Sequence, residues 1–349
     1  MNLINSEPTS FAAIESAGRT SEGIFVEATA TLEKLKAALG KVIRGREDTI
    51  KLVLTALAGN GHVLLEDYPG SGKTTLAKTL GNLIDCSASP SQAQGILPFR
   101  RIQFTPDLLP SDVLGVTVFE PGSNTFRFQH GPVFAHVLLA DEINRTGPKV
   151  QAAFLECMAE KQVTIDNTTY PLDELFFVIG TQNPLDIAGT YPLPLVQLDR
   201  FLLCVPMKYV DAATELEILE QAGEIARQSK NVQPVVSRED VLSIQVAAQK
   251  VHIAKPLLQA AVNIVQATRS SQLLQFGAST RSAIMLKQTM GAWALNNGRD
   301  YATEDDLKFL LPYVLKHRLK FHPGAGDATQ AFQDLIQPHL EKLIQQSSR

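Results

Sequence analysis

The stretch Val63-Leu64-Leu65-Glu66-Asp67-Tyr68-Pro69-Gly70-Ser71-Gly72-Lys73-Thr74 decides the fold. An apolar run gives way to a glycine-bearing loop and then to a helical pattern, so a strand feeds a phosphate-binding loop at a helix start. Backbone N–H groups in such a loop face anionic oxygens. Lys73 supplies a point charge for the outer phosphates, and the Thr74 hydroxyl can hold Mg²⁺. The usual pattern is G-x-x-x-x-G-K-S/T, and its first position here is Asp67. Aspartate tolerates left-handed backbone better than most residues, so the loop is expected to form with the Asp67 carboxylate turned away from phosphate.

Outward from this loop, residues 40–209 alternate short apolar runs with helical patterns, the signature of a parallel sheet wrapped by helices. The strand candidates are His62–Leu65, Phe99–Phe104, His136–Ala140, Phe176–Thr181 and Phe201–Pro206. Each is short and mostly apolar, as strands buried on both faces must be. Two hairpins interrupt the alternation, one turning at Glu120–Asn124 and one at Asp166-Asn167. In the first, Phe119, Phe126 and Phe128 are expected mostly to pack the hairpin onto the domain, with gripping of a peptide as the alternative. After Tyr209 the strand signal stops and helical patterns run over Glu215–Ser229, Arg238–His252, Lys255–Arg269, Thr280–Asn297 and Glu304–Lys316.

The fold class is therefore α/β, with a five-stranded parallel sheet, β-hairpin inserts and a C-terminal all-helical domain. The divisions are a mobile tail over 1–30, a nucleotide-binding domain over 31–209, a helical domain over 210–320 and an extension over 321–349. That extension carries a helix at Ala331–Ile344 that Pro338 kinks or splits.

Composition removes other classes. The 349 residues suffice for about two domains, and a net charge of −4 gives no general attraction to nucleic acid or anionic membrane. Cys86, Cys157 and Cys204 lie far apart, which speaks against a disulfide framework or zinc site and for a reducing compartment. The N-terminus lacks a basic region followed by an apolar run, and no stretch is long enough to span a bilayer, so the expected location is cytoplasmic.

A nucleotide site needs a carboxylate at the end of a buried strand. Val137-Leu138-Leu139-Ala140-Asp141-Glu142 provides one: Asp141 would hold Mg²⁺, and Glu142 would polarise the attacking water. The next strand ends Ile179-Gly180-Thr181-Gln182-Asn183-Pro184, where Asn183 either orients that water or simply forms an Asn-Pro turn. Arg200, just before a strand, is either a surface residue or an arginine finger for a neighbouring subunit. Arg281 either reaches the phosphates from the helical domain or is likewise an ordinary surface arginine.

From residue 35 to 320 the chain resembles the MoxR family of AAA+ ATPases. The likeness rests on Gly131-Pro132-Val133-Phe134, Leu139–Arg145, Gly180–Pro184, Gly189–Pro194 with Gln197–Phe201, Gly277-Ala278-Ser279 with Arg281, and Val314–Arg318. The resemblance implies roles. Pro69, Gly70, Ser71, Gly72, Lys73, Thr74 and Thr75 would form Walker A, and Asp141 and Glu142 Walker B. Asn183 would be sensor 1, Arg200 a finger acting in trans, Arg281 sensor 2, and Ile43 and Gly45 part of the segment beside adenine. It also implies ATP and Mg²⁺ as ligands and a hexameric homo-oligomeric ring. The expected activity is chaperone-like remodelling of a protein client, with a von Willebrand factor A domain partner and no nucleic acid. The alternative is a nucleotide-gated scaffold with slow hydrolysis. Leu195-Val196 depart from the family's usual Glu-Ala, which bears on finger position or a subunit contact.

Overall fold

The structure is a computed structural model, and it describes residues 21–67, 70–89, 95–183 and 189–347. The five apolar runs form one parallel sheet: β1 (His62–Asp67), β2 (Leu97–Gln103), β3 (Ala135–Asp141), β4 (Phe177–Gln182) and β5 (Phe201–Met207). Their spatial order is β5-β1-β4-β3-β2. All four pairings are parallel, with Leu65 opposite Thr181, Ala140 opposite Gly180 and Gln103 opposite Asp141. The inner strands β1, β3 and β4 and the edge strand β5 carry apolar residues at successive positions because they are covered on both sides, whereas edge strand β2 carries Arg100 and Arg101 and buries only Ile102, against the expectation that all five are buried on both faces. Val63, Leu65, Val137, Leu139 and Ile179 join one buried cluster, while Leu64, Leu138, Ala140, Val178 and Cys204 join the other.

The helices that build the first cluster come from both ends of the chain. They are α1 (Ser21–Val42), α2 (Glu47–Ala58), α3 (Lys73–Leu83), α5 (Arg238–Lys250), α6 (Lys255–Ser270), α7 (Thr280–Asn296), α8 (Glu304–Leu315) and α9 (Ala328–Ser347), while α4 (Pro148–Glu160) packs on the opposite face. Helix α5 starts at a reciprocal cap: Ser237 Oγ accepts from the Asp240 N–H, and Asp240 Oδ2 accepts from the Ser237 N–H.

Several expectations need correction. The tail expected over 1–30 is helical from Ser21 onward, because Ile24, Ala28, Leu32, Leu35 and Leu39 recur at helical spacing and bury one face of α1; residues 1–20 lie outside the described residues. The helix expected over Glu215–Ser229 is two helices, Ala212–Glu220 and Ala222–Lys230, meeting at Gln221, and neither buries a residue that would hold one straight rod against the core. The helical domain also contains strand. Val236–Ser237 pairs in parallel with Ile84–Asp85, and Leu274–Phe276 pairs with Lys320–Phe321.

The extension is no appendage. Phe332, Ile336, Leu340 and Leu343 of α9 are buried in the main cluster, and that packing keeps the helix continuous through Pro338. Both hairpins form, at Gly115–Glu120 with Thr125–His130 and at Gln162–Ile165 with Thr168–Pro171. In the first, Phe128 stacks on Tyr170 at 4.0 Å, but Phe126 is 74 % exposed and Phe119 44 %, against the expectation that most of them pack. The three cysteines are free and buried, and burial raises each thiol's pKa, so none is a ready nucleophile. Among the described residues, no helix is long and apolar enough to cross a membrane.

Candidate nucleotide site

Helix α3 begins where the loop ends, with Gly72 as its left-handed N-cap. Gly70 and Gly72 have φ of +83° and +88°, and a Cβ at either would meet nothing within 4 Å. Backbone conformation, not packing, demands glycine there, and the space beside both glycines is open. Ser71 is buried and donates to Met207 Sδ. Pro69 and the side chain of Asp67 lie outside the described residues.

From Lys73 at the start of α3, Nζ reaches Asp141 Oδ1 at 3.2 Å. Asp141, the last residue of β3, is only 2 % exposed. Its Oδ1 also accepts from Thr181 Oγ1 at 2.8 Å, and its Oδ2 accepts from Arg101 Nη2 at 2.6 Å and Nε at 3.2 Å. Burial opposes ionisation of this carboxyl, but the Arg101 and Thr181 hydrogen bonds and the Lys73 charge together hold its pKa below the usual carboxylate value.

Glu142 turns out of the strand in the left-handed region at φ 56°. Its N–H donates to Thr181 Oγ1 at 2.9 Å, so that hydroxyl ties both acidic residues together. Glu142 Oε2 accepts from Gln103 Nε2 at 2.7 Å and pairs with Arg145 Nε at 3.1 Å. Arg101, Gln103, Arg145 and Thr181 were not singled out from sequence. The available signal was the alternation of Arg101 and Gln103 at the polar end of an otherwise apolar strand.

Beside the loop lies a cavity of about 450 Å³, lined by Ile43, Gly70, Thr75, Tyr209, Leu219 and Ile225 among others. Its apolar walls and the open space beside the adjoining glycines suit a flat base with a phosphate chain. Tyr209, Leu219 and Ile225 are additions to the expected set. Gly45 has φ +64°, and a Cβ there would lie 2.3 Å from Thr214 Cγ2, so Gly45 lets the helix Ala212–Glu220 close over this segment. Thr74 is half-buried in the first turn of α3. Asn183 follows Gln182, whose Nε2 donates to Glu66 Oε1 at 3.1 Å, so it stands at the same end of the sheet as the loop.

Arg200 is elsewhere. Arg200 precedes Phe201, which pairs with His62, the first residue of β1, whereas the loop leaves from the last. Five steps of strand at about 3.3 Å each separate those ends by about 16 Å. Nη1 of Arg200 is buried with no hydrogen-bond partner among the described residues. Arg281, in the first turn of α7, contributes a positive charge that helps lower the pKa of Arg318, whose Nε donates to Asp199 Oδ1 at 2.8 Å. Arg200 therefore stands beside Asp199, at the opposite end of β1 from its own chain's loop.

The family described as "ATPase family associated with various cellular activities (AAA)" matches residues 62–203, and an "AAA lid domain" matches 266–338. The chain is 36 % identical to "Chaperone MoxR1" of Mycobacterium tuberculosis over 86 % of its own length and 78 % of that protein's. It belongs to the MoxR family of AAA+ ATPases. Another relative by sequence is "Uncharacterized protein YeaC" of Bacillus subtilis, 42 % identical over 84 % of this chain and 88 % of that one. A crystal structure of a candidate ATPase from Cytophaga hutchinsonii matches with a TM-score of 0.81 and 38 % identity, covering 95 % of this chain and 98 % of that one. As a MoxR-family AAA+ protein the chain is an ATPase, converting ATP and water to ADP and phosphate. The lid match ends inside α9, consistent with the shared core that this helix enters.

Proposed function

We propose that this MoxR-family chain works as a subunit of a homo-oligomeric ring, hexameric in the family's manner, that hydrolyses Mg·ATP at its subunit seams to remodel a protein client. The observation that carries this is the separation within one chain of the phosphate loop from Arg200. A finger about 16 Å along the sheet from its own loop is placed to serve another chain's.

The residues fit the ligands. The open cradle at Gly70 and Gly72 takes phosphate oxygens, and the cavity at Ile43 and Tyr209 takes the base. Thr74 and Asp141 would hold Mg²⁺, a hydroxyl and a carboxylate beside phosphate being the donor set that cation prefers. When bound, Mg²⁺ withdraws charge from the phosphate oxygens. Lys73 holds the outer phosphates, Glu142 accepts the proton of the attacking water, and Asn183 orients that water. Arg200 of the adjacent subunit, and Arg281 from the helical domain, meet the charge that develops on the transferred phosphoryl group.

Exposed Phe126 and Phe119 on the first hairpin offer apolar contact to a client segment, and Thr117 Oγ1 donates to Asp166 Oδ2 at 2.8 Å, bracing that hairpin on the second. A von Willebrand factor A domain protein is the proposed partner, and the cytoplasm the proposed location. The test mixes two inactive variants, Arg200→Ala and Lys73→Ala. In a ring with shared sites, mixing restores part of the turnover; mixed rings that assemble without regaining activity overturn the reading.

A further inference from the structure

Every acceptor position on Asp141 is taken. A carboxylate offers about four lone-pair sites, and here Lys73 Nζ and Thr181 Oγ1 approach Oδ1 while Arg101 Nε and Nη2 approach Oδ2. A divalent cation at this carboxylate, directly or through a water, needs one donor to leave.

The three donors are not equally free to go. Thr181 Oγ1 also accepts the Glu142 N–H, so moving it would undo the backbone turn after Asp141. Lys73 sits in the first turn of α3, with a side chain 19 % exposed, and a phosphate chain on the loop draws its ammonium off Oδ1, which leaves Arg101 as the cation still paired with Asp141 beside the incoming metal. Arg101 comes from the neighbouring strand β2, its side chain is 45 % exposed, and Nη2 has a second anchor at Gln103 Oε1, 2.6 Å away. It has solvent to move into and a contact to keep. The electrostatics point the same way. A guanidinium in two-point contact with a nearly dry carboxylate is a strong pairing, and a cation of charge +2 brought beside it would be repelled.

We infer that Arg101 competes with the divalent cation for Asp141 and so sets how tightly this ATPase holds its metal. The inference rests on the reading of Asp141 as a metal-facing carboxylate. Arg101 is thus a positioning residue: it acts on the site through Asp141 and keeps the Gln103 contact when displaced.

The test measures metal affinity, not turnover. Full-length protein saturated with ADP is titrated with Mn²⁺, and free Mn²⁺ is followed by electron paramagnetic resonance. Arg101→Met, close in length and uncharged, should bind Mn²⁺ about tenfold more tightly than wild type, a factor equivalent to about 1.4 kcal/mol. Arg101→Lys, which keeps the charge and loses the two-point contact, should fall between. Retained ADP binding by each variant shows that it is folded. Unchanged or weaker Mn²⁺ binding by Arg101→Met overturns the competition. Asp141→Asn separates this from the reading beneath it. If that variant binds Mn²⁺ as well as wild type, the assignment of Asp141 to the metal fails; if it weakens binding while Arg101→Met does not tighten it, the competition alone fails.

Discussion

Buried Arg318 donates from Nε to Asp199 Oδ1 at 2.8 Å, and Asp199 is the residue directly before Arg200. The same guanidinium donates to the carbonyls of Phe201, Leu202 and Val314, so one side chain fixes the backbone on both sides of Arg200. Burial lowers the pKa of Arg318 and Asp199 opposes that shift, which makes the pair an ionic anchor. Asp199→Ala should lower kcat at least tenfold and leave ADP affinity within about twofold, because the base and phosphate contacts are elsewhere. It should also lower the melting temperature, since the remaining charge is buried without its partner. Steady-state kinetics, ADP titration and thermal melting check the three parts.

Glu142→Gln keeps the shape of the carboxylate and removes its capacity to accept a proton. Asp141 retains Lys73, Thr181 and Arg101, so ATP binding should stay within about threefold of wild type. Turnover should fall by about 10² to 10⁴, the usual worth of a general base. Nucleotide binding and phosphate release, measured side by side, check this.

Gly45→Ala should weaken nucleotide binding and destabilise the fold by about 1–3 kcal/mol. The new Cβ imposes strain at φ +64° and meets Thr214 Cγ2 at 2.3 Å. Adding Thr214→Ser removes that methyl group and should recover part of the loss, leaving the backbone strain. Denaturant melts of the single and double variants separate the two contributions.

Acid should unfold the protein partly through His62. Its Nδ1 accepts from the Val178 N–H at 3.1 Å and its Nε2 faces the Met158 carbonyl at 3.1 Å, an arrangement made for neutral imidazole. Burial, with a smaller contribution from Lys161, pushes its pKa from 6.5 down to about 4. The unfolded chain therefore takes up the proton first. The stabilisation is complete above about pH 6.5 and is lost as pH falls towards 4, a change of about 3 kcal/mol over the window. His62→Gln should flatten this dependence in pH-resolved denaturant melts.

The strand, glycine turn and helix around Lys73, the five strands and the acidic end of β3 were legible because each is a local pattern: a glycine spacing, an apolar run, a run ending in acid. Thr181 was in plain view within Gly180–Pro184, yet its importance depends on β4 lying beside β3, and strand order is not a local property. Arg101 is hidden for the same reason, forty residues from the carboxylate it holds. Tyr209, Leu219 and Ile225 escaped because the cavity joins them to Ile43 across more than half of the described core, and no periodicity links such distant positions. The start of α1 at Ser21 and the two-residue strands at Ile84–Asp85 and Val236–Ser237 were missed because weak apolar spacing and very short strands gain their structure from what they pack against.

Those two short strands have a mechanical consequence. Ile84–Asp85 continues directly from α3, the helix that carries Lys73, and Val236–Ser237 leads directly into α5. Arg238 follows at once and donates to buried Asp173 at 2.7 Å. A push on the phosphate end of α3 is thus delivered through a backbone splice to the far half of the chain. Any hinge at that joint would have to tear the splice and expose the apolar interior common to both halves. The two halves of the chain are therefore held together by backbone hydrogen bonds and a shared apolar interior as well as by the chain itself.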